Sequence, residues 1–269
     1  MKIGIVGITG RMGRAIANLA INNEITDLVC GITRPDDDLI GKDIGVIMAL
    51  DNIGVNVSSD FEELFIKSDV VIDFSTPEIT LKCAELARKY KKNLVSGTTG
   101  LNEEQKQQLS KYAQGTVIVW SSNMSVGINL LFNLSQDIAS ILHDDYDAEI
   151  LEMHHNKKVD APSGTALSLG EAVATGRGLD FGEVNRKTRD GIVGARQKNE
   201  IGFASLRGGD VIGDHTVIFA SNGDRIEISH KASNRDIYAK GAIRAAIWSI
   251  GKEDGFYSMR DVISSNNNL

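Results

Sequence analysis

The chain has 269 residues, 42% hydrophobic and 24% charged, with 29 Lys and Arg against 36 Asp and Glu for a formal net charge of −7. That is the balance of a globular protein with enough chain for one large domain or two ordinary ones. The acidic surplus excludes the basic face that nucleic acid or an anionic membrane surface requires, and the apolar runs are too short and interrupted to span a bilayer.

Met1 leads at once into a strand-like run at 3–6, with no charged-then-apolar leader ahead of it. Further β-rich runs lie at 28–32, 70–74, 93–96 and 117–120, separated by helical stretches. Two of those helices are marked by Ile16/Leu19/Ala20 and Leu81/Ala84/Leu86/Ala87. This alternation predicts a parallel sheet with helices on both faces. Near Ser125 the rhythm changes. A long apolar helix over 126–142 leads to a strand over 148–153, a Gly/Ser-marked turn and a helix over 165–174. Strands are then predicted at 191–194, 200–206, 215–220 and 225–230. In the last, Arg225, Glu227 and Ser229 alternate with Ile226, Ile228 and His230, as in a sheet with one wet face. A helix over 237–250 has no sheet partner of its own and is expected to return to the first domain, ahead of a polar Asn-rich tail at 264–268. The fold class is α/β: a parallel-sheet domain over 1–125, completed by 236–269, and a mixed α+β domain over 126–235. Cys30 and Cys83 stand in apolar surroundings and are read as reduced core residues, so a cytoplasmic protein is expected.

The first strand runs straight into Gly7-Ile8-Thr9-Gly10-Arg11-Met12-Gly13, which opens a helix. Glycines here permit a tight turn, bring backbone N–H groups up to a pyrophosphate and let the helix pack on the sheet. The helix N-terminus then presents partial positive charge to the phosphates. Thr9 stands where the middle glycine of the common motif often does, and the competing reading is a glycine turn needed only for packing. About twenty residues on, a ribose-binding acid is expected, but the chain has Ile32-Thr33-Arg34. Arg34 suits a 2′-phosphate, so NADPH is expected to be preferred with NADH still usable. Alternatively, Arg34 is solvated and meets only Asp36, Asp37 and Asp38. Asp73-Phe74-Ser75-Thr76-Pro77, Gly97-Thr98-Thr99-Gly100 and Ser121-Ser122-Asn123-Met124 end the next three strands. Open α/β sheets bind ligands at such ends. Each loop alone reads equally well as a cap, and with the glycine turn they outline a dinucleotide crevice.

His154-His155-Asn156-Lys157-Lys158 concentrates two histidines and two lysines at a strand end, and Ser163-Gly164-Thr165 then enters a helix. Point charges and free N–H groups at a helix N-terminus are what a small anionic substrate needs. Histidine adds a proton donor near neutral pH. The other reading is a solvated basic strand end followed by a plain cap, for which Ser163 and Thr165 are ordinary residues. Adjacent His154 and His155 point to opposite faces of a continuing strand, and no third ligand lies at a suitable spacing, so no metal site is expected. No serine sits in a glycine elbow, which leaves a hydrolase without a nucleophile.

Residues 7–13, 73–77, 97–100, 121–127 and above all 154–166 resemble the 4-hydroxy-tetrahydrodipicolinate reductase family. The similarity runs nearly end to end, through 225–235 and Met259-Arg260-Asp261-Val262. Its most specific part is Val159-Asp160-Ala161-Pro162-Ser163-Gly164-Thr165-Ala166, preceded by the paired histidines. The resemblance implies a Rossmann-like cofactor domain and a mixed α+β domain that binds substrate and builds a homotetramer. It implies NADPH- or NADH-dependent reduction of a dicarboxylated cyclic imine with loss of water, in the diaminopimelate route to lysine. By the same matching, Gly7, Ile8, Thr9, Gly10, Arg11 and Met12 contact the dinucleotide, as do Gly97, Thr98, Thr99, Ser121, Ser122, Asn123 and Met124. His154 matches the proton donor and Lys158 its partner lysine, while His155, Gly164 and Thr165 match substrate-binding positions. Hinge closure between the domains is expected to bring the reacting rings together. The family often has an acid where Thr33 stands, followed by the arginine matched by Arg34. Two rivals are weaker: a semialdehyde-type oxidoreductase lacks a cysteine nucleophile near the sheet ends, and a nucleotide sensor has no use for His154–Lys158.

Overall fold

The structure is a computed structural model and describes residues 1–264; most of the Asn-rich tail lies outside the described residues. In chain order it begins β1 (Lys2–Val6), α1 (Arg11–Ile21), β2 (Asp27–Ile32), α2 (Ile44–Ile47), β3 (Val57–Ser58) and α3 (Phe61–Lys67). There follow β4 (Val70–Asp73), α4 (Pro77–Tyr90), β5 (Asn93–Ser96), α5 (Glu103–Tyr112), β6 (Val117–Trp120) and α6 (Val126–Leu142). Next come β7 (Asp147–His154), α7 (Gly164–Arg177), α8 (Phe181–Val184), β8 (Asn185–Arg186), β9 (Ile201–Arg207), β10 (Gly213–Ala220) and β11 (Arg225–Ala232). The last are α9 (Asp236–Ser249), β12 (Gly255–Tyr257) and α10 (Met259–Ser264). Two compact units result, one formed by Met1–Val126 with the segment from Arg235, the other by Gly127–Asn234.

The first unit is built on a parallel sheet ordered β12-β6-β5-β4-β1-β2-β3. Its central strands are buried on both faces, which is why they read as unbroken apolar runs rather than alternating ones. Ile3, Ile5, Ile72 and Val95 pack on one face with Ile16 and Ala20 of α1 and Ala239, Ala242 and Ala246 of α9. Val6, Val71, Leu94 and Ile118 pack on the other with Leu64 and Phe65 of α3 and Cys83 and Ala87 of α4. Fully burying a side chain such as Phe65 stabilises by about 1.5–3 kcal/mol. Local signals set the helix starts. Asp60 accepts from the N–H groups of Glu62 and Glu63, Pro77 opens α4, and Asn102 with Gln105 forms a reciprocal cap on α5. Strands β1 to β3 build the sheet in one direction and β4 to β6 in the other, so the turn after β1 stands at the switch point.

The second unit holds a mixed sheet ordered β11-β10-β7-β9-β8, with β7, β9 and β8 parallel and β10 antiparallel to both its neighbours. Burial alternates strictly along β7 and β10. The inward residues Ala148, Ile150, Val217 and Phe219 meet Ile128 and Leu131 of α6 and Leu169 and Val173 of α7. The strand expected at 191–194 does not form. Gly191 and Gly194 take φ values of 67° and 78°, which no strand ladder accommodates, and Ile192 is fully exposed. Conversely, the short β3, β8 and β12 carry little sequence signal of their own. Among the described residues, no helix is long and apolar enough to cross a membrane.

Candidate active site

The turn after β1 is a tight backbone cradle. Gly7 takes φ +77°, and the N–H groups of Gly7 and Ile8 both donate to Ile32 O, at 2.9 and 3.0 Å. Gly10 N–H donates to Gly7 O at 2.9 Å. A Cβ on Gly13 would stand 2.1 Å from Gly7 O, so only glycine lets α1 start this close to the turn. No side chain caps the first-turn N–H groups of α1, which leaves its positive end open. Ile8 itself is buried in the core and Met12 packs against it, whereas Arg11 is exposed.

At the end of β2 the structure supplies an acid that the strand itself lacks. Asp37 Oδ2 accepts from Thr33 Oγ1 at 2.7 Å and from Thr9 Oγ1 at 2.9 Å, while Oδ1 accepts from Leu39 N–H at 3.0 Å. The Thr33 hydroxyl, the Leu39 N–H and the Thr9 hydroxyl together hold this carboxyl below the usual aspartate range. The chain loops back between Arg34 and Asp37, whose N–H donates to Arg34 O at 3.1 Å. The Arg34 side chain is exposed and pairs with none of Asp36, Asp37 and Asp38 within salt-bridge distance.

The loops after β4 and β5 are organised around a fully buried carboxyl. Asp73 accepts from the hydroxyls of Ser75, Thr80 (2.5 Å), Ser96 (3.0 Å) and Thr98 (3.1 Å). Burial pushes its pKa up despite those donors. Thr98 also accepts from Ser75 N–H at 3.1 Å, and a Cβ on Gly97 would lie 2.3 Å from the Phe74 ring. Thr98 is thus a brace between two loops, and Thr99 and Gly100 of that turn are exposed. Ser121 Oγ accepts from Met259 N–H at 2.9 Å, Met124 is buried in the core, and Ser122 is exposed.

In the second unit, His154 ends β7 on the inward face. Its Nδ1 meets Glu152 Oε2 at 2.6 Å. Glu152 is fully buried and gripped by Arg207 through two contacts of 2.8 Å, and its Oε1 also accepts from Ser163 N–H at 3.2 Å. Burial opposes ionisation of Glu152, yet His154, Arg207 and Ser205 donate to it and bring its pKa down to about 2. His215 on β10 stands edge-on to His154 with ring centroids 5.1 Å apart, and its Nε2 lies 3.2 Å from Ser163 Oγ. Burial first, and His154 second, push His215 down to about 3, so it is neutral. Ser163 Oγ caps α7 by accepting from Ala166 N–H at 3.1 Å, with Gly164 exposed beside it. Lys158 Nζ pairs with Asp160 Oδ1 at 2.7 Å. His155 is half-buried, with its N–H on Val211 O at 2.7 Å.

The chain matches the family model described as dihydrodipicolinate reductase, N-terminus, over residues 1–124 and that described as dihydrodipicolinate reductase, C-terminus, over 127–263. It is 45% identical to a 4-hydroxy-tetrahydrodipicolinate reductase of Roseobacter denitrificans over 263 residues, covering 98% of this chain and 97% of that one. The chain belongs to the dihydrodipicolinate reductase family. A Pseudomonas fluorescens member is 47% identical over 97% of this chain and 98% of its own. The fold is similar to that of a dipicolinate-bound dihydrodipicolinate reductase from Paenisporosarcina sp. TG-14, with a TM-score of 0.75 at 24% identity over 96% of this chain and 97% of that one.

A reductase of this family takes a pyridine nucleotide, and the cradle fits one: an open helix N-terminus, left-handed Gly7 and, at 13, a glycine that lets α1 start tight against the turn. Sequence reasoning did not pick out Asp37, Glu152, Arg207 and His215, which the fold brings to the two candidate sites. Glu152 alone had a local signal, a charge at an inward position of β7 two residues before His154.

Proposed function

We propose that the chain reduces 4-hydroxy-tetrahydrodipicolinate to tetrahydrodipicolinate with loss of water, at the expense of NAD(P)H, in lysine biosynthesis by the diaminopimelate pathway. The observation that carries the reading is the end of β7: a histidine bonded to a buried carboxylate, beside a lysine and the start of a helix. The substrate is a dicarboxylated six-membered ring that becomes a conjugated imine on losing water. The reduced nicotinamide, when bound, supplies the hydride. Reduction at C4 leaves an electron pair spread over C3 and the ring nitrogen, and His154 delivers the proton that neutralises it. Lys158 exchanges Asp160 for a substrate carboxylate. The N–H groups of Gly164 and Thr165 at the start of α7 receive the other carboxylate, with His155 alongside.

The nucleotide is held by the turn from Gly7 through Thr9, Gly10 and Arg11 to Met12. The loops Gly97-Thr98-Thr99 and Ser121-Ser122-Asn123-Met124 complete its site. Arg34 pairs with a 2′-phosphate, which favours NADPH, while Asp37 offers a ribose acceptor that keeps NADH usable. The enzyme is a cytoplasmic homotetramer in this reading. Two buried unpaired thiols, Cys30 and Cys83, suit a reducing compartment. β11 ends its sheet, and Ile226 on it and Leu206 on β9 are 37% and 48% exposed, which suits association with closed symmetry.

The test is oxidation of NADPH with the enzymatically generated cyclic substrate. His154→Ala or Lys158→Ala should lower kcat by about 10²-fold or more while nucleotide binding persists. Near-wild-type rates in both variants would remove these residues from the mechanism.

A further inference from the structure

Glu152 has no assigned part in the reaction, yet it is the group most firmly tied to the proposed proton donor. It sits on the inward face of β7, between Ala148 and Ile150 on one side and His154 on the other. A carboxylate without water there is costly unless every lone pair is met. Here Oε2 takes His154 Nδ1 and one Arg207 nitrogen, and Oε1 takes the other Arg207 nitrogen and the Ser163 N–H. Arg207 in turn donates to Asp160 O at 2.6 Å and Leu206 O at 2.6 Å, which fixes its position as well. The outer edge of the His154 ring is different. Its Nε2 faces Gly213, where a Cβ would come within 3.1 Å, so glycine leaves that nitrogen room. The His154 side chain keeps 11% of its surface exposed.

We propose that Glu152 is a positioning residue for proton delivery: it holds His154 with Nδ1–H turned inward, so that Nε2 is the atom offered to substrate. This rests on the reading of His154 as the donor. In the step, the Nε2–H bond breaks with its electron pair staying on nitrogen. The proton goes to the substrate carbon or nitrogen that holds the electron pair left by hydride addition. The ring is left neutral, with its remaining proton on Nδ1 against Glu152. His215, held neutral beside it, does not compete for the proton. Arg207 keeps Glu152 ionised, so the negative charge is permanent.

The experiment compares wild type with Glu152→Gln, which keeps the shape and removes the charge. Ring ¹⁵N spectra of the nucleotide-free protein, with the His154 signals assigned by their loss in His154→Gln, report which nitrogen carries the proton. The neutral ring is expected to be Nδ1–H in wild type, and this preference should weaken in Glu152→Gln. Turnover should fall about 10- to 100-fold with KM for the cyclic substrate nearly unchanged. In a His154→Gln background, Glu152→Gln should have no further effect on kcat, because its action passes through the ring. Wild-type tautomer and turnover in Glu152→Gln would overturn the proposal, as would an equal loss of kcat in the His154→Gln background. If the unpaired Arg207 prevents folding, the neutral pair Glu152→Gln/Arg207→Gln carries the same comparison against Arg207→Gln alone. Full activity of His154→Gln by itself would instead refute the donor assignment.

Discussion

Replacing Gly13 by alanine tests the nucleotide cradle at its tightest point. The added Cβ would lie 2.1 Å from Gly7 O and 2.7 Å from Ile8 Cα, both backbone atoms that no rotamer change can move aside. Ordinary contacts need about 3.5 Å, so the start of α1 and the turn must part by roughly 1 Å or more. Hydrogen bonds from a helix N-terminus to a pyrophosphate, made at about 2.9 Å, do not survive that displacement. Losing one charge-assisted bond is worth about 1.5–3 kcal/mol, or about 10- to 100-fold in affinity. The overpacking itself costs the fold about 1–3 kcal/mol. Gly13→Ala is therefore expected to weaken NADPH and NADH binding alike and to lower Tm. Calorimetric titration with each nucleotide gives the first quantity and thermal denaturation the second. Wild-type affinity for both nucleotides in a variant of lowered Tm would show that this turn does not hold the pyrophosphate. An unchanged Tm would refute the packing argument as well.

Arg34→Ala should lower kcat/KM for NADPH about 10- to 100-fold relative to NADH, and an unchanged ratio would exclude a 2′-phosphate contact. Asp37→Asn should move the same ratio the other way, since it removes a charge that repels the phosphate; a shift toward NADH would contradict that reading. His215, at about 3 in the folded state against an ordinary 6.5, stays neutral where the unfolded chain becomes protonated. Its contribution to stability is whole above pH 6.5 and falls by about 1.4 kcal/mol per pH unit as pH drops toward 3. Urea denaturation at pH 7 and pH 5 should show a loss of about 2 kcal/mol that His215→Asn lacks; equal losses in the two proteins would sink the assignment. Glu152, held near 2 against an ordinary 4.5, adds a separate loss only below pH 4.5.

The first unit was legible because strands buried on both faces must be apolar throughout, so β5 and β6 show their limits in composition alone. Ile192-Val193 misleads for a local reason: two β-branched residues favour a strand, and the flanking left-handed glycines forbid one. The two- and three-residue strands β3 and β12 take their pairing from neighbours, Gly31–Ile32 and Val117–Val119, and no local pattern announces that. In the candidate site, His154, Lys158, Gly164 and Thr165 stood out as candidates because they lie within one short stretch. Glu152, His215 and Arg207 come together only through register, Glu152 opposite His215 on β10 and His154 opposite Arg207 on β9. Asp37 was hidden by the turn at Arg34, which returns its carboxylate to Thr33 four residues back.

The late position of α9 in the chain has a consequence for synthesis. Ribosomes release β1 to β6 before Ala239, Ala242 and Ala246 exist to cover Ile72, Val95 and Val119. Until then α1 alone covers that side over β1 and β2, and the apolar surface over β4 to β6 stays bare, of the sort chaperones recognise. The intervening 127–234 stretch can settle meanwhile on its own core. A chain cut short anywhere before α9 is therefore expected to keep the strands of the first unit and to aggregate through that surface.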